Sequence, residues 1–324
     1  MAVAQPASST EQLLTAKEVS QLQLVWNRFR KHRLAVIGVA VLIFLFAFSF
    51  IGPYLSPYDP EAQFLSAPNE VPSQAYPFGT DELGRDVMTR LMWAGRISLV
   101  LSLIVTAGAT FIGVVVGAIS GYFGDWVDVI AMRFVDFMLT LPILPLLLIL
   151  SAMNLRGGLP ITSPDFVNKF FGFIWNMTQD NAQNILILAA ILILFSWMSV
   201  ARLVRGQVLS LRGMEFTDAS RALGASPWRI IVYHMIPNSL APIIVSATFS
   251  FGDVIITEAA LSFIGFGVQP PAASWGNLLN GVRDFMLIQP WRAFVPGIAI
   301  FLASISFNFV GDALRDALDP RLKL

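Results

Sequence analysis

Apolar runs long enough to cross a bilayer recur along the chain, separated by polar segments. A membrane helix needs about 20 residues with few or no charges, because charge and bare backbone are costly in hydrocarbon. Leu34–Pro53 and Ile97–Gly124 hold no charged residue, and neither do Phe137–Leu155, Asn181–Ala201, Met235–Gly252 and Ala293–Gly311. The pattern predicts an all-α membrane protein of six transmembrane helices. A further uncharged stretch, Ala259–Val282, is interrupted by Gly265, Gly267, Pro270 and Pro271. It reads as the end of span five plus a re-entrant or surface loop. The organisation is then a leading segment at 1–33, a first span at 34–53 and a polar segment at 54–96. A five-helix core at 97–314 follows, with a loop at about 205–236 and a tail at 315–324.

Ahead of span one, Ser9-Thr10-Glu11-Gln12 has the form of a capping box. Leu13, Val19, Leu22, Trp26 and Phe29 then fall near one helical face, beside Arg28, Arg30 and Lys31. Such a helix either lies on the membrane surface or packs on the protein. Span one has a basic flank and a cleavage-like Ala47-Phe48-Ser49, but its apolar core is longer than that of a signal peptide. The segment Asn154–Asp180, with Phe166, Phe170, Phe171, Phe173 and Trp175, is expected to form a short interfacial helix.

Composition agrees with the pattern. Of the 324 residues 56% are hydrophobic and 13% charged, against roughly 25% charged in a soluble domain. Lys+Arg 21 balances Asp+Glu 21, so nothing argues for nucleic acid. With Cys 0 there is no disulfide, thiolate metal site or cysteine nucleophile, and His 2 excludes a three-histidine site. Lys17, Lys31, Lys169 and Lys323 are the only lysines and none follows a glycine, so the chain has no Walker A loop. No catalytic residue, cofactor or metal is expected on this chain. With the N-terminus in the cytoplasm, fourteen of the 21 positive residues fall on the inner side, which favours both termini inside.

The most informative stretch is the loop between spans four and five, Met214 to Trp228. Glu215 and Asp218 suit the first turn of a helix, where the dipole favours negative charge. Gly224 suits a C-terminal turn with positive φ, then Ser226 caps and Pro227 opens a second helix. Ala219, Ala222 and Gly224 keep the hairpin slim enough for another protein's backbone to approach.

This loop resembles the signature of ABC-importer permeases, which is E-A-A, three residues, Gly, nine residues, then I-x-L-P. Here Asp218-Ala219-Ser220 stands for E-A-A, Gly224 matches, and His234-Met235-Ile236-Pro237 closes the motif. His234 is similar to the peptide-importer branch. Two further segments also resemble dipeptide and oligopeptide permeases. They are Phe78-Gly79-Thr80-Asp81-Glu82-Leu83-Gly84-Arg85-Asp86 and Thr257–Pro271 with Ser274-Trp275-Gly276. The resemblance runs from about Trp26 to the C-terminus, and the long Asn154–Asp180 segment departs from it.

What it implies is the C-type permease subunit of a peptide-class ABC importer, multi-pass in a bacterial or archaeal plasma membrane. Its partners would be a homologous permease forming a heterodimer, two ATPase subunits that hold ATP and Mg, and an extracytoplasmic binding protein. Cargo would be di- or oligopeptides, with nickel or oligosaccharides as alternatives. The loop residues Glu215, Asp218, Ala219, Ser220, Ala222, Gly224 and Pro237 would dock on an ATPase. A stand-alone secondary transporter is the rival class, but it predicts broken, charged helices in two related halves, and no internal repeat is evident.

Other polar residues have two readings each. Asp253 and Glu258 either line the outer mouth of a path and meet a peptide amine, or pair with Arg283, Arg292 or helix ends. Asp81, Arg85 and Asp86 either meet the binding protein or brace a short helix. Arg133 and Asp136, three apart, are expected to form a local salt bridge.

Overall fold

The structure, a computed structural model, describes residues 21–155, 163–175 and 177–318. The capping box at Ser9–Gln12 lies outside them. The described residues form helices α1 (Gln21–Lys31), α2 (Arg33–Phe50), α3 (Val87–Phe123), α4 (Asp125–Thr140), α5 (Ile143–Leu155) and α6 (Asp165–Trp175). They continue as α7 (Gln179–Ser196), α8 (Met198–Arg212), α9 (Glu215–Ala222), α10 (Leu240–Ile264), α11 (Trp275–Gly281) and α12 (Trp291–Leu318). No strand occurs among these residues. Five helices are long and apolar enough to cross a membrane, or six spans if the bent pair α4–α5 counts as one. The far end of the bundle bears 51–86 and 265–290. The hairpin end bears Gly124 and 213–239.

Several helices run past the charges that bounded the apolar stretches. The 37 residues of α3 reach back to Val87, so the first ten lie inside the segment expected to be polar. At 1.5 Å per residue α3 is about 55 Å long, well beyond a ~30 Å hydrocarbon core. Arg96 does not end it because its charge is satisfied. Arg96, 4% exposed, donates to the carbonyls of Ser49 (2.9 Å) and Phe50 (2.8 Å), the bare C-terminal end of α2. Its guanidinium also lies 4.2 Å from the Trp93 ring centroid.

The third span departs from the expectation of one continuous helix. α4 and α5 meet at 85°. Pro142 is the cause: it pushes Leu141 to φ −74 and ψ 140, extended backbone that cannot continue a helix. α1 packs on the protein, with Val25 and Phe29 against Ala313 and Ala317 of α12, while Trp26 stays exposed. α6 is amphipathic, with Asn168, Gly172 and Trp175 buried and Phe166, Phe170 and Phe173 exposed.

The tightest helix contact is between α3 and the α7–α8 rod. Gly113, Gly117 and Gly121 face the carbonyls of Trp197, Ala201 and Arg205. A Cβ added at these glycines would sit 2.8, 2.4 and 2.9 Å from those oxygens. Both series step by four residues, so the two backbones touch over two turns. In lipid, where apolar side chains gain nothing by leaving the solvent, such close van der Waals packing is what joins helices.

Gly117→Ala should therefore lower thermal stability, by roughly 1–3 kcal/mol as for other overpacked sites. Gly206, one helix face away with nothing within 4 Å, is the control. Gly206→Ala should be neutral or stabilising by up to about 1 kcal/mol, because an exposed helical glycine is entropically costly. Melting of the purified chain in detergent reads both, and equal effects would mean that the seam is not close-packed.

Candidate functional site

The loop after α8 folds as a rigid hairpin. Gly213 ends α8 and α9 begins at once. The hydroxyl of Thr217, fully buried, donates to the Leu211 carbonyl at 2.8 Å and ties α9 to the end of α8. Glu215 and Asp218 lie in the first turn of α9. At its end Gly224 takes φ +79, its N–H donates to the Arg221 carbonyl at 2.9 Å, and the Ala225 N–H donates to the Ser220 carbonyl at 3.0 Å. This is the Schellman arrangement, and only glycine adopts the φ without strain. Ser226 then accepts from the Arg229 N–H, with Pro227 in the first turn of the next helix.

Beyond the tip, Ile230, Ile231 and Met235 bury against Ala118, Tyr122, Val200, Val204 and Val208, on the α3–α8 seam. The Trp228 ring meets Phe123 edge-on at 6.2 Å, and the Arg221 guanidinium lies 5.5 Å from the Tyr122 ring centroid. A π-helical turn, Ile231–Met235, leads to Pro237 and then to α10.

Of the residues singled out from the sequence, Glu215, Asp218, Ala219, Ala222, Gly224 and Pro237 are exposed. Ser220 is half-buried and donates to the Phe216 carbonyl, and Asp218 pairs with Arg221 at 3.3 Å. Sequence reasoning missed the apolar part of this surface: Leu223 is 88% exposed, Trp228 57% and Met214 47%. Large apolar side chains gathered at the tip of a polar loop were the available signal.

At the far end, Glu258 and Asp253 separate. Glu258 is fully buried in α10 and pairs with neither Arg283 nor Arg292. Ser98 of α3 donates to it at 3.1 Å and Ser262 at 2.6 Å. Each serine oxygen in turn accepts a backbone N–H, Ser98 from Trp275 (3.1 Å) and Ser262 from Val268 (3.1 Å). Ser274 and Asn277 cap α11 reciprocally, and the buried Trp275 indole N–H donates to the Leu91 carbonyl at 3.2 Å. The segment 257–276 is therefore a knot that fastens the loop 265–274 between α3 and α10. Its Gly276 lies so close to Ala259 that a Cβ would be 2.6 Å away. This corrects the mouth-lining reading of Glu258, whose carboxylate serves packing. Asp253, midway along α10, is exposed and carries no ion pair among the described residues.

The 81–86 cluster braces a turn. Asp81 accepts from the Leu83 and Arg85 N–H groups at 2.9 Å each, and from Arg85 Nε at 2.7 Å. Asp86 is the N-cap of α3, accepting from the Thr89 N–H at 2.8 Å and its hydroxyl at 2.5 Å. A second expectation fails at Asp136, whose partner is Arg202 of α8 and not Arg133. α4 lies antiparallel to α8, so the neighbouring helix offers a better-placed guanidinium than the same helix three residues back.

These features define a multi-pass membrane protein with a rigid hairpin at one end of its bundle. The chain belongs to the family of binding-protein-dependent transport system inner membrane components, whose model matches residues 113–324. Residues 20–72 match the N-terminal TM domain of oligopeptide transport permease C. Among its relatives is a Brucella suis protein that carries a provisional peptide-permease name, 39% identical over 300 residues, 92% of this chain and 90% of that protein. The dipeptide transport system permease protein DppC of Bacillus subtilis is 38% identical over 306 residues, 94% of this chain and 87% of that one. The glutathione transport system permease protein GsiD of Pectobacterium atrosepticum is 36% identical over 299 residues, 92% and 90% of the two chains.

The knot yields a stability prediction. Trp275→Ala removes a fully buried indole and should cost about 3–5 kcal/mol, read as a lowered melting temperature in detergent. Leu279→Ala, on the same helix but less buried, should cost clearly less; the opposite order would show that α11 is not anchored through Trp275.

Proposed function

We propose that this chain is one permease half of an ATP-driven importer for di- or oligopeptides, and that the α9 hairpin is where an ATPase subunit engages it. On this reading the hairpin end faces the cytoplasm, both termini lie inside, and a homologous permease completes the path. Two ATPases hold ATP and Mg, an extracytoplasmic protein delivers the cargo, and this chain performs no chemistry. The peptide cargo is supported by the relatives that are dipeptide and glutathione permeases and by the match to the oligopeptide permease C segment.

The observation that carries the docking proposal is the combination of exposure and rigidity in the hairpin. Leu223 and Trp228 project at its tip, while Thr217 and the buried Ile230–Met235 turn fix its base to α8 and α3. A partner that moves the tip must move those helices. Glu215, Asp218, Ala219, Ser220, Ala222 and Gly224 shape the docking helix, and Pro237 marks the return to α10. Asp253, an exposed carboxylate at mid-helix, fits a water-filled path, where a peptide amine could meet it. Asp81 and Arg85 hold the turn whose exposed Glu82 and Leu83 would reach the binding protein, with Asp86 occupied in capping.

Two experiments test this reading. In the assembled transporter, Ala222→Trp, at an exposed position, should block close approach, and Gly224→Val should strain the φ +79 turn, although a Cβ there meets nothing within 4 Å. Peptide uptake and ATPase copurification should fall at least tenfold at matched membrane abundance; wild-type uptake by the Ala222→Trp variant would reduce the hairpin to a connector. Single cysteines at the exposed Gln63 and Gly213 of this cysteine-free chain should label from opposite faces of the membrane with an impermeant thiol reagent. Labelling from one face would overturn the six-span orientation.

A further inference from the structure

Outside the hairpin and the knot, a group of five charges lies between α4 and α8. There an open cleft of about 480 Å³ is lined by Asp128, Met132, Arg133, Asp136, Arg202 and Arg205 among others. Its size falls in the ~300–1,000 Å³ range of small-molecule pockets. Arg205 donates from Nε and Nη2 to the two Asp128 oxygens at 2.5 and 2.6 Å, and the Ser120 hydroxyl of α3 joins Asp128 at 2.5 Å. Arg202 pairs with Asp136. Farther along the two helices, the Phe134 and Trp197 rings stack at 6.3 Å. Three guanidinium groups face two carboxylates, and Arg133 is the one with no ion pair among the described residues. It is exposed to the cleft.

The position of this cleft matters as much as its charge. The lining residues of α4 begin three residues after Asp125 and end eleven after it, about 5 to 17 Å along the helix axis from the hairpin end. At about 55 Å, α3 outruns a ~30 Å hydrocarbon core, so charges near this end of it can meet water. The paired four meet each other, and Arg133 requires water or an anion. We propose that the α4–α8 cleft is a cargo site on the hairpin-end half of the translocation path, where Arg133 binds the C-terminal carboxylate of the peptide. This rests on the peptide-importer reading. The planar guanidinium fork matches a carboxylate in a bidentate fashion. The single uncompensated positive charge suits a single carboxylate. A site for anionic lipid headgroups would instead gather several free Lys or Arg, without two acidic residues in its wall. α8 runs from this cleft directly into the hairpin, so a carboxylate held here sits on the element that a partner at the tip would move.

The absence of cysteine makes the test direct. The full transporter, with both permeases, ATPases and binding protein, is reconstituted in liposomes, and uptake of a di- to pentaalanine series is measured. Arg133→Cys should lower uptake about tenfold or more, the factor expected when a hydrogen bond to a charged group is lost. Treating this variant with an aminoethyl thiosulfonate, which places a cation on the introduced thiol, should restore most of the uptake; a neutral methyl thiosulfonate should not. The wild-type complex treated alike controls for reagent effects on the partners. Equal rescue by both reagents, or wild-type uptake by Arg133→Cys, overturns the proposal. So does a defect seen with phosphatidylglycerol vesicles but absent in pure phosphatidylcholine, since the site would then serve an anionic lipid. Failure of the wild-type complex to take up any peptide of the series would instead count against the peptide reading itself.

Discussion

The backbone contact between α3 and α8 is the constraint on which the rest of the molecule depends. Three glycines bring the two helices so close that even a methyl group would meet a carbonyl oxygen. Helices in lipid have no apolar surface to hide from their solvent, so their association rests on this kind of fit. On the hairpin side, the seam provides the floor into which Ile230, Ile231 and Met235 are sunk. At the far end, the same α3 supplies Ser98 to Glu258 and the Leu91 carbonyl to Trp275. One strut of about 55 Å therefore joins the two ends of the molecule. A displacement imposed on the hairpin is delivered to a rod and not to a string of independent contacts.

Charge inside the bundle is handled in three ways, each an answer to the cost of desolvation. Arg96 is used up on helix-end carbonyls and aromatic faces, and Glu258 on two serine hydroxyls whose own acceptor capacity is taken by backbone N–H groups. Asp128 and Asp136 are cancelled across a helix pair by Arg205 and Arg202. Asp253 and Arg133 are neither capped nor paired, and both are exposed. In a soluble protein that would be ordinary. Within spans it marks the surfaces that must stay wet, and it does so independently of any motif.

The apolar runs alone were enough to find the spans, though not their ends or the break in the third, because lipid imposes length and freedom from charge on any crossing helix. The hairpin was equally readable: the acidic first turn, Gly224, Ser226 and Pro227 are local devices whose physics needs no partner. What could not be read were long-range satisfactions. Whether Arg96 ends a span or lies inside a helix depends on the α2 carbonyls, 46 and 47 residues away in sequence. Glu258 looked like a site residue because nothing near it suggests Ser98, 160 positions earlier. Asp136 had an attractive local partner, and only the antiparallel placement of α8 gave it a different one. The break at Pro142 was visible as a residue, but the 85° turn follows from how α4 and α5 each find a different neighbour.

That last point bears on how the subunit can move. α4 is clamped to α8 by two ion pairs and a ring stack, and Ser120 of α3 shares the Asp128 carboxylate. α5, past the break, packs with α7 and the Trp175 region instead. α3, α4, α8 and the hairpin are thus linked by hydrogen bonds and close backbone contact. α5 is joined to them through the extended Leu141 and through apolar packing.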